Sequence, residues 1–359
     1  MEFGVFVATK IDDWQLIRYA EELGYDRAWV PDSQMIWSDC YATLALAAVN
    51  TTRIKLGTGV AIPGTRIAPV TAHSIASINR LAPGRTFLGI GTGHTAMRVM
   101  GMNPMKLRDF REYLRVVRAL LAGDEVEYTL NGVTRAIRFL HLDLEFIDIE
   151  HPIPIYVAAN GPLALKVVGE HGDGLVSVGN EHPQVLARHM TAMRAGAAQA
   201  GRQLPDDFHT AALTTAVVLR PGERVDSDRV IEQCGSQVAA ALHFAYENYQ
   251  LTHSAAAIPP GFENVWEEYC AYVDAMPIDV AKRYLQIHNG HCTFMMPEEC
   301  RFVTAQTIRA GILIGEPDEL IAQLRAAEQA GLREVGLLPP MAAARTVFKE
   351  FADQVMARY

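Results

Sequence analysis

Short apolar runs that end in glycine or small polar residues recur along the chain, separated by stretches with apolar residues at helical spacing. Phe3 to Ala8 reads as a first strand, and Asp12 is placed to cap a helix that runs to Leu23 and stops at Gly24. Asp26 to Pro31 reads as a second strand that runs into the polar cluster Asp32-Ser33-Gln34. An Ala/Leu-rich helix, Cys40 to Val49, leads to a third strand, Ile54 to Val60, and a helical stretch from Pro69 to Leu81 precedes a fourth, Thr86 to Ile90. Two near-copies of one phrase stand out here: Arg53-Ile-Lys-Leu-Gly-Thr-Gly-Val60 and Arg85-Thr-Phe-Leu-Gly-Ile-Gly-Thr-Gly93. Each is a buried-strand pattern whose glycines let something approach the backbone closely at the C-terminal end. Strand, helix, strand at this spacing is a βα unit, and in such units ligands collect where the strands end.

The rhythm then changes. A long helix, Lys106 to Leu121, is followed by Val126 to Leu130, Asn131-Gly132 and Val133 onward, which reads as a β-hairpin because Asn-Gly supplies the φ > 0 residues of a tight turn. The βα pattern returns with Pro154 to Ala158, a helix from Pro162 to His171, Gly174 to Val178, a helix from Pro183 to Ala200, and the apolar run His209 to Leu219. Residues 222–310 are irregular, with an amphipathic stretch from Val230 to Tyr249 and no clear strand. The helix Pro317 to Ala330, the run Glu334 to Leu338 and a closing helix, Ala342 to Ala357, restore the pattern. The count is eight strands with roughly eight crossover helices. This predicts an α/β fold, a single-domain (β/α)8 TIM barrel over residues 1–359 with a hairpin after strand four and a helical insertion, about 222–310, after strand seven acting as a substrate cap. A doubly wound open sheet is the rival reading; eight evenly spaced units close more naturally than they stay open.

Composition narrows the function. Of 359 residues half are hydrophobic, enough for a large core, and the net charge of −9 with scattered arginines argues against a nucleic-acid surface. The first residues begin directly with a strand pattern, so neither a signal peptide nor a membrane helix is expected. Five cysteines, odd and sparse, suit a reducing cytoplasm.

Residues just after the strands should face the pocket. They are Asp32, Ser33 and Gln34; Gly59, Val60 and Pro63; Gly91, Thr92, Gly93 and His94; Ala159, Asn160 and Gly161; and Ser177, Gly179 and Asn180. Such a rim is poor in acids and bases, and suits a large, planar, phosphorylated cofactor that carries the hard chemistry itself. Asn160-Gly-Pro162 opens a helix and can meet a phosphate with free N–H groups, or be merely a helix start; Ser177 to Asn180 is a second such loop. His94 is placed as a proton donor or polar contact with a near-neutral pKa, or as a solvated loop histidine. Asp32 could orient the cofactor or act as a base, and would look the same as a turn residue. His288-Asn-Gly-His-Cys292 with Cys300 lacks the second complete ligand pair of a zinc site, so no metal is expected. His288 and His291 read instead as polar lining of the substrate mouth, or as packing. Met97, Met100, Met102 and Met105 form core, or an adaptable wall of an apolar substrate pocket. No Gly-x-Ser-x-Gly, Walker or dinucleotide fingerprint is present.

At these residues the chain resembles the luciferase-like superfamily: bacterial luciferase, reduced-flavin monooxygenases and the deazaflavin-dependent reductases. The carriers are Ala28-Trp-Val-Pro-Asp32, Leu56-Gly-Thr-Gly-Val60 with Pro63 and Arg66, Gly84-Arg85 with Leu88-Gly-Ile-Gly-Thr-Gly93, Ile155-Tyr-Val-Ala-Ala-Asn-Gly-Pro162, and Gly172-Asp-Gly174. The segment from Pro154 to Gly174 is most similar to the methylene-tetrahydromethanopterin reductases. The resemblance implies a usually dimeric barrel that binds a flavin or deazaflavin at its C-terminal mouth. It also implies a non-prolyl cis peptide at Gly59-Val60 behind the ring, and a cofactor phosphate at Ala159 to Gly161 and Ser177 to Asn180. On that placement Gly59→Val crowds the ring while leaving the barrel folded. Many members carry Asp-His or Glu-His after strand two, whereas this chain has Asp32-Ser33. The leading expectation is a two-component monooxygenase, in which reduced FMN from a separate flavin reductase reacts with O2 and oxygenates a small substrate under the cap. In that reading His94 and Asp32 are catalytic, and Ser33, Gln34, Met97, His288 and His291 meet the substrate. The alternative is a coenzyme F420-dependent hydride-transfer enzyme, and a third reading is a non-catalytic flavin-binding barrel.

Overall fold

The computed structural model describes residues 1–179 and 181–359. Eight parallel strands close into a barrel: β1 (Glu2–Phe6), β2 (Arg27–Val30), β3 (Lys55–Thr58), β4 (Thr86–Ile90), β7 (Ile155–Ala158), β8 (Gly174–Ser177), β9 (His209–Thr214) and β12 (Glu334–Leu337). Around the ring their order is β1-β12-β9-β8-β7-β4-β3-β2, so consecutive units are neighbours throughout. These are the eight strands read from the sequence, and the (β/α)8 expectation holds. The crossover helices are α1 (Gln15–Glu22), α2 (Cys40–Asn50), α3 (Ala68–Leu81), α5 (Leu107–Leu121), α6 (Pro162–His171), α7 (Pro183–Gln199), α12 (Pro317–Gln329) and α13 (Ala344–Gln354). A short α4 (His94–Arg98) precedes α5, and β5 (Val126–Leu130) pairs with β6 (Val133–Ile137) as the expected antiparallel hairpin.

Inside the barrel, Phe6, Trp29, Phe87 and Tyr156 form one aromatic layer, with Phe6 stacked on Trp29 at 5.1 Å and Trp29 edge-on to Phe87 at 4.4 Å. Below it the base is closed by charge. Glu334 is fully buried and accepts hydrogen bonds from Trp29 Nε1 (2.7 Å) and His209 Nε2 (2.8 Å) while pairing with Arg27 at 3.2 Å. Buried charge survives only when paired and hydrogen-bonded, and this one is.

Two expectations are corrected. Asp12 does not cap α1: it lies in a turn of 3-10 helix, Ile11–Asp13, and makes no side-chain cap bond there. The run His209 to Leu219 is not one strand. It breaks after Thr214, and β10 (Ala216–Val218) leaves the barrel to pair in parallel with β11 (Leu313–Gly315). The reason is topological. The insertion must leave and re-enter between β9 and β12, and a small two-stranded sheet pairs the backbone at that gate. The insertion itself is helical: α8 (Asp228–Thr252), capped by Ser227, then α9 (Glu263–Asp274), α10 (Arg283–Ile287) and α11 (Ala305–Gly311). It has its own apolar core, in which Val230, Val238 and Leu242 of α8 meet Trp266, Tyr269 and Phe302. One face of α8 turns elsewhere: Ala240 packs with Cys292 against the aromatic layer of the barrel.

Candidate functional site

The C-terminal mouth of the barrel is built by the loops after its strands. After β3 the Gly59-Val60 peptide is cis, as the family resemblance implied. Gly59 itself faces inward: a Cβ there would lie 2.6 Å from Trp29 Cβ and 3.0 Å from Phe6 Cε1. A valine at this position therefore strikes the barrel core, so Gly59→Val is no clean probe of a ring site, contrary to the sequence expectation. Gly91 is pressed between the next loops, where a Cβ would come within 3.0 Å of Ala158 Cβ and 3.2 Å of Val60 Cγ2. Val60, Gly91 and Ala158 thus make a low wall with no long side chain.

The loops after β7 and β8 are joined by Ser177, whose hydroxyl donates to Asn160 Oδ1. Gly161 stands at the start of α6 without a side-chain cap, at φ −80° and ψ 150°, and no atom lies within 4 Å of where its Cβ would be. With Pro162 at the first helical position, the N–H groups of Leu163 and Ala164 have no intrahelical acceptor and form the positive end of the helix dipole. Ala159 is buried, and Gly179 takes a left-handed φ of 84° in the second loop. This open, uncapped cradle fits a phosphate. Asn180, expected to belong to it, lies outside the described residues.

After β4, the neighbour of β7 in the barrel, Gly93 (φ 89°) turns the chain into α4 and sets His94 against the cap. Thr92 holds this turn through its carbonyl, which accepts from Met105 N at 3.0 Å. The His94 ring lies 4.6 Å from the Phe244 ring, with Nδ1 3.9 Å from Glu247 Oε2 and an Nε2 sealed from solvent without a partner. Burial pulls its pKa down to about 4 despite the Glu247 carboxylate. His94 is thus neither near-neutral nor a solvated loop residue. It is uncharged at pH 7.

Glu247 also accepts from His288 Nε2 at 2.9 Å. Burial works to raise the Glu247 carboxyl, but His288 and His94 hold it below its ordinary value. His291 lies beside His288, with its ring 6.3 Å from that of Trp37, and burial drives its pKa well down. Trp37, from the loop after β2, donates to Thr293 Oγ1 at 2.9 Å and so bolts the cap to the mouth. His94, His288 and His291, chosen from scattered sequence positions, are therefore brought together.

Asp32 is differently employed. Buried, it pairs with Arg66 at 2.5 Å; Arg66 also grips Asp39 at 2.9 Å, and Asp39 caps α2. That fixes the second and third loops but leaves Asp32 committed to Arg66. Ser33 is a turn residue whose carbonyl accepts from Ile36 and Trp37. Gln34 donates to Ala96 O, tying that loop to α4. Met97 is buried with Ile62 and Ala96 behind Val60, a packing role.

Sequence reading missed Glu247 and His243, although His243-x-x-x-Glu247 puts both on one face of a helix. It also missed Glu181, a buried carboxyl in the loop after β8 that burial pushes above its ordinary pKa and Thr214 hydrogen-bonds.

The depressed His94 pKa carries a pH signature. Between pH 6.5 and about 4 the unfolded chain binds a proton at His94 that the native chain refuses. Stability therefore falls on acidification through that window and is indifferent to this group below it. The thermal midpoint of His94→Gln should depend less steeply on pH there than that of the native chain; identical slopes would remove the assignment.

Residues 1–334 match the family model of the luciferase-like monooxygenases, and the chain belongs to that family. It is 37% identical over 247 residues to the 5,10-methylenetetrahydromethanopterin reductase of Methanolobus tindarius, covering 67% of this chain and 71% of that one. It is 26% identical over 364 residues to the F420-dependent glucose-6-phosphate dehydrogenase of Amycolatopsis mediterranei, covering 96% and 93%. In three dimensions it resembles the coenzyme F420 dependent tetrahydromethanopterin reductase from Methanopyrus kandleri, with a TM-score of 0.74 and 23% identity over 100% of this chain and 99% of that one. The chain is a luciferase-like oxidoreductase. Among the described residues no helix is long and apolar enough to cross a membrane.

Proposed function

We propose that this protein is a coenzyme F420-dependent oxidoreductase that moves a hydride between the deazaflavin and a small organic substrate held under the helical insertion. The observation that carries this is the agreement of the relatives: an F420-dependent glucose-6-phosphate dehydrogenase and a 5,10-methylenetetrahydromethanopterin reductase each match nearly the whole chain, and a coenzyme F420 dependent tetrahydromethanopterin reductase shares its fold. It moves the balance away from reduced FMN, the leading expectation from the sequence. FMN stays as a second reading because the family model is named for monooxygenases.

In this proposal Val60, at the cis peptide, with Gly91, Thr92 and Gly93 backs the ring, and Ala159, Asn160, Gly161, Ser177 and Gly179 hold the phosphate. When bound, the deazaflavin supplies two-electron hydride chemistry without oxygen. The chain's own part is to orient, to exclude water and to manage a proton. His94, uncharged, takes the substrate's hydroxyl proton at Nε2 in oxidation and returns it in reduction, with Glu247 beside its other nitrogen stabilising the protonated ring. Asp32 and Arg66 position the loops and touch no reacting atom. A separate flavin reductase is needed only in the FMN reading. Leu130, Val133, Leu142, Leu144 and Phe146, exposed along the hairpin and the segment after it, suit a homodimer contact.

Anaerobic titration with reduced F420 and with reduced FMN, followed by admission of air, separates the readings. Tight F420 binding with no added oxygen uptake is expected. Tight FMN binding with oxygen uptake would transfer the protein to the monooxygenases, and binding of either without turnover on any alcohol, ketone or pterin would leave a silent barrel.

A further inference from the structure

Three histidines converge beneath the cap: the buried His243 of α8 and His288 at the end of α10, and the half-buried His291 in the turn that follows. One ring nitrogen from each lies within 4.8 Å of the other two. Two of the rings are held from behind by carboxylates. His243 Nε2 meets Glu299 Oε1 at 2.8 Å and His288 Nε2 meets Glu247 Oε1 at 2.9 Å. A carboxylate accepts, so the hydrogen of each imidazole sits on Nε2 and the lone pair is left on Nδ1. In His243, His288 and His291 alike, Nδ1 is sealed from solvent and has no hydrogen-bond partner.

Ordinary packing does not leave three unpartnered ring nitrogens gathered in one space, two of them fixed as acceptors. Each unpartnered lone pair carries a desolvation cost, and together they repel. A cation removes both penalties at once. The carboxylate–histidine arrangement is the one that fixes ring orientation and tautomer at metal sites.

We propose that His243, His288 and His291 bind one divalent transition-metal ion through Nδ1, with zinc the best fit, Glu299 and Glu247 behind them, and a coordination position left open. Neutral imidazoles suit zinc, and three protein ligands with a free fourth position is the pattern of a reactive rather than a structural site. Nitrogens around a tetrahedral zinc stand about 3.4 Å apart, so the rings must close slightly on the ion, which small side-chain rotations supply. Cys292 is not in the set: its thiol is turned to Gln237 Oε1 at 3.5 Å. The contrast within this chain is instructive. A second group, Glu2, His209 and Glu334, also gathers potential ligands at the base of the barrel, but there the Arg27 guanidinium already supplies the cation, 2.7 Å from Glu2 and 3.2 Å from Glu334. Under the cap, among the described residues, no lysine or arginine is salt-bridged to Glu247 or Glu299; Arg98 acts on Glu247 only at longer range.

Sequence spacing showed His288-x-x-His291 and no second pair, which argued for no metal. The third ligand comes from a different helix, and no local motif could announce it.

The test uses the full chain, stripped with a chelator and dialysed, with no cofactor present. Titration with Co2+ should give the intense visible bands of a tetrahedral ion saturating at one equivalent, and Zn2+ should abolish them and raise the thermal midpoint. Glu299→Gln should weaken binding about 10–100-fold, the usual cost of losing an outer partner. The double variant His288→Gln/His291→Gln should lose the bands, and His73→Gln, an exposed histidine of α3, should keep them. Absence of a saturable cobalt spectrum in the native chain overturns the site, as does an unchanged spectrum in the double variant. Should the double variant not fold, His291→Gln alone decides in the same way. Because no deazaflavin or flavin is present, the outcome is independent of the cofactor reading.

Discussion

Glu334→Ala is expected to lower the stability of the barrel by about 3–5 kcal/mol, the range for breaking a buried ion pair from one side. The carboxylate is fully buried and serves three donors at the barrel base: Trp29 Nε1, His209 Nε2 and the Arg27 guanidinium. Removing it strands an almost wholly buried Arg27 and leaves two further ring N–H groups short of an acceptor. Arg27 keeps Glu2 at 2.7 Å, which places the loss toward the lower end. Glu334→Gln retains an acceptor for Trp29 and should lose less. Denaturant titration of the three proteins reads this out through the transition midpoint at constant slope. The informative companion is Glu334→Leu with Arg27→Met. If burial of an unpaired charge is the cause, removing both charges recovers most of the loss. A loss under about 1 kcal/mol in Glu334→Ala would mean that water reaches the base and that the plug is not sealed.

The barrel was legible because its signals are local: each apolar run is bounded by glycine or proline within a few residues, and the hairpin is announced by Asn131-Gly132. What failed was what depends on partners far along the chain. Thr214 and Ala216 look like one strand until Leu313 to Gly315 arrives to pair with the second half. Asp12 has a capping residue's chemistry, but the chain forms a tighter turn there first. Gly59 was placed correctly at the mouth and at the cis bond, yet its missing side chain makes room for Trp29 and Phe6 rather than for a ligand. Likewise Asp32 has the position of a reacting group and the partner of a strut. His94 was located by its place after a strand, but its depressed pKa depends on Phe244 and Glu247, contributed by an insertion whose packing no periodicity reveals.

Gly161→Asp is expected to separate the fold from the cofactor site, lowering affinity for the phosphate-bearing cofactor at least tenfold while the barrel holds. Backbone geometry at Gly161 is ordinary for any residue and its Cβ would meet nothing within 4 Å, so no packing term opposes the change. An aspartate at the start of α6 can even cap the free N–H groups, adding a few tenths of a kcal/mol to stability. The same carboxylate then occupies the space and the donors that the phosphate would use, and repels it. A tenfold loss corresponds to about 1.4 kcal/mol, modest for one misplaced charge near a phosphate anion. Gly161→Ala is the control: it adds a methyl group to open space and leaves the N–H groups free, so it should bind nearly as well as the native chain. Equal losses in both variants would assign the effect to backbone freedom rather than charge. Unchanged affinity in Gly161→Asp, with the helix intact, would move the phosphate away from α6 and leave the loop after β8 to hold it.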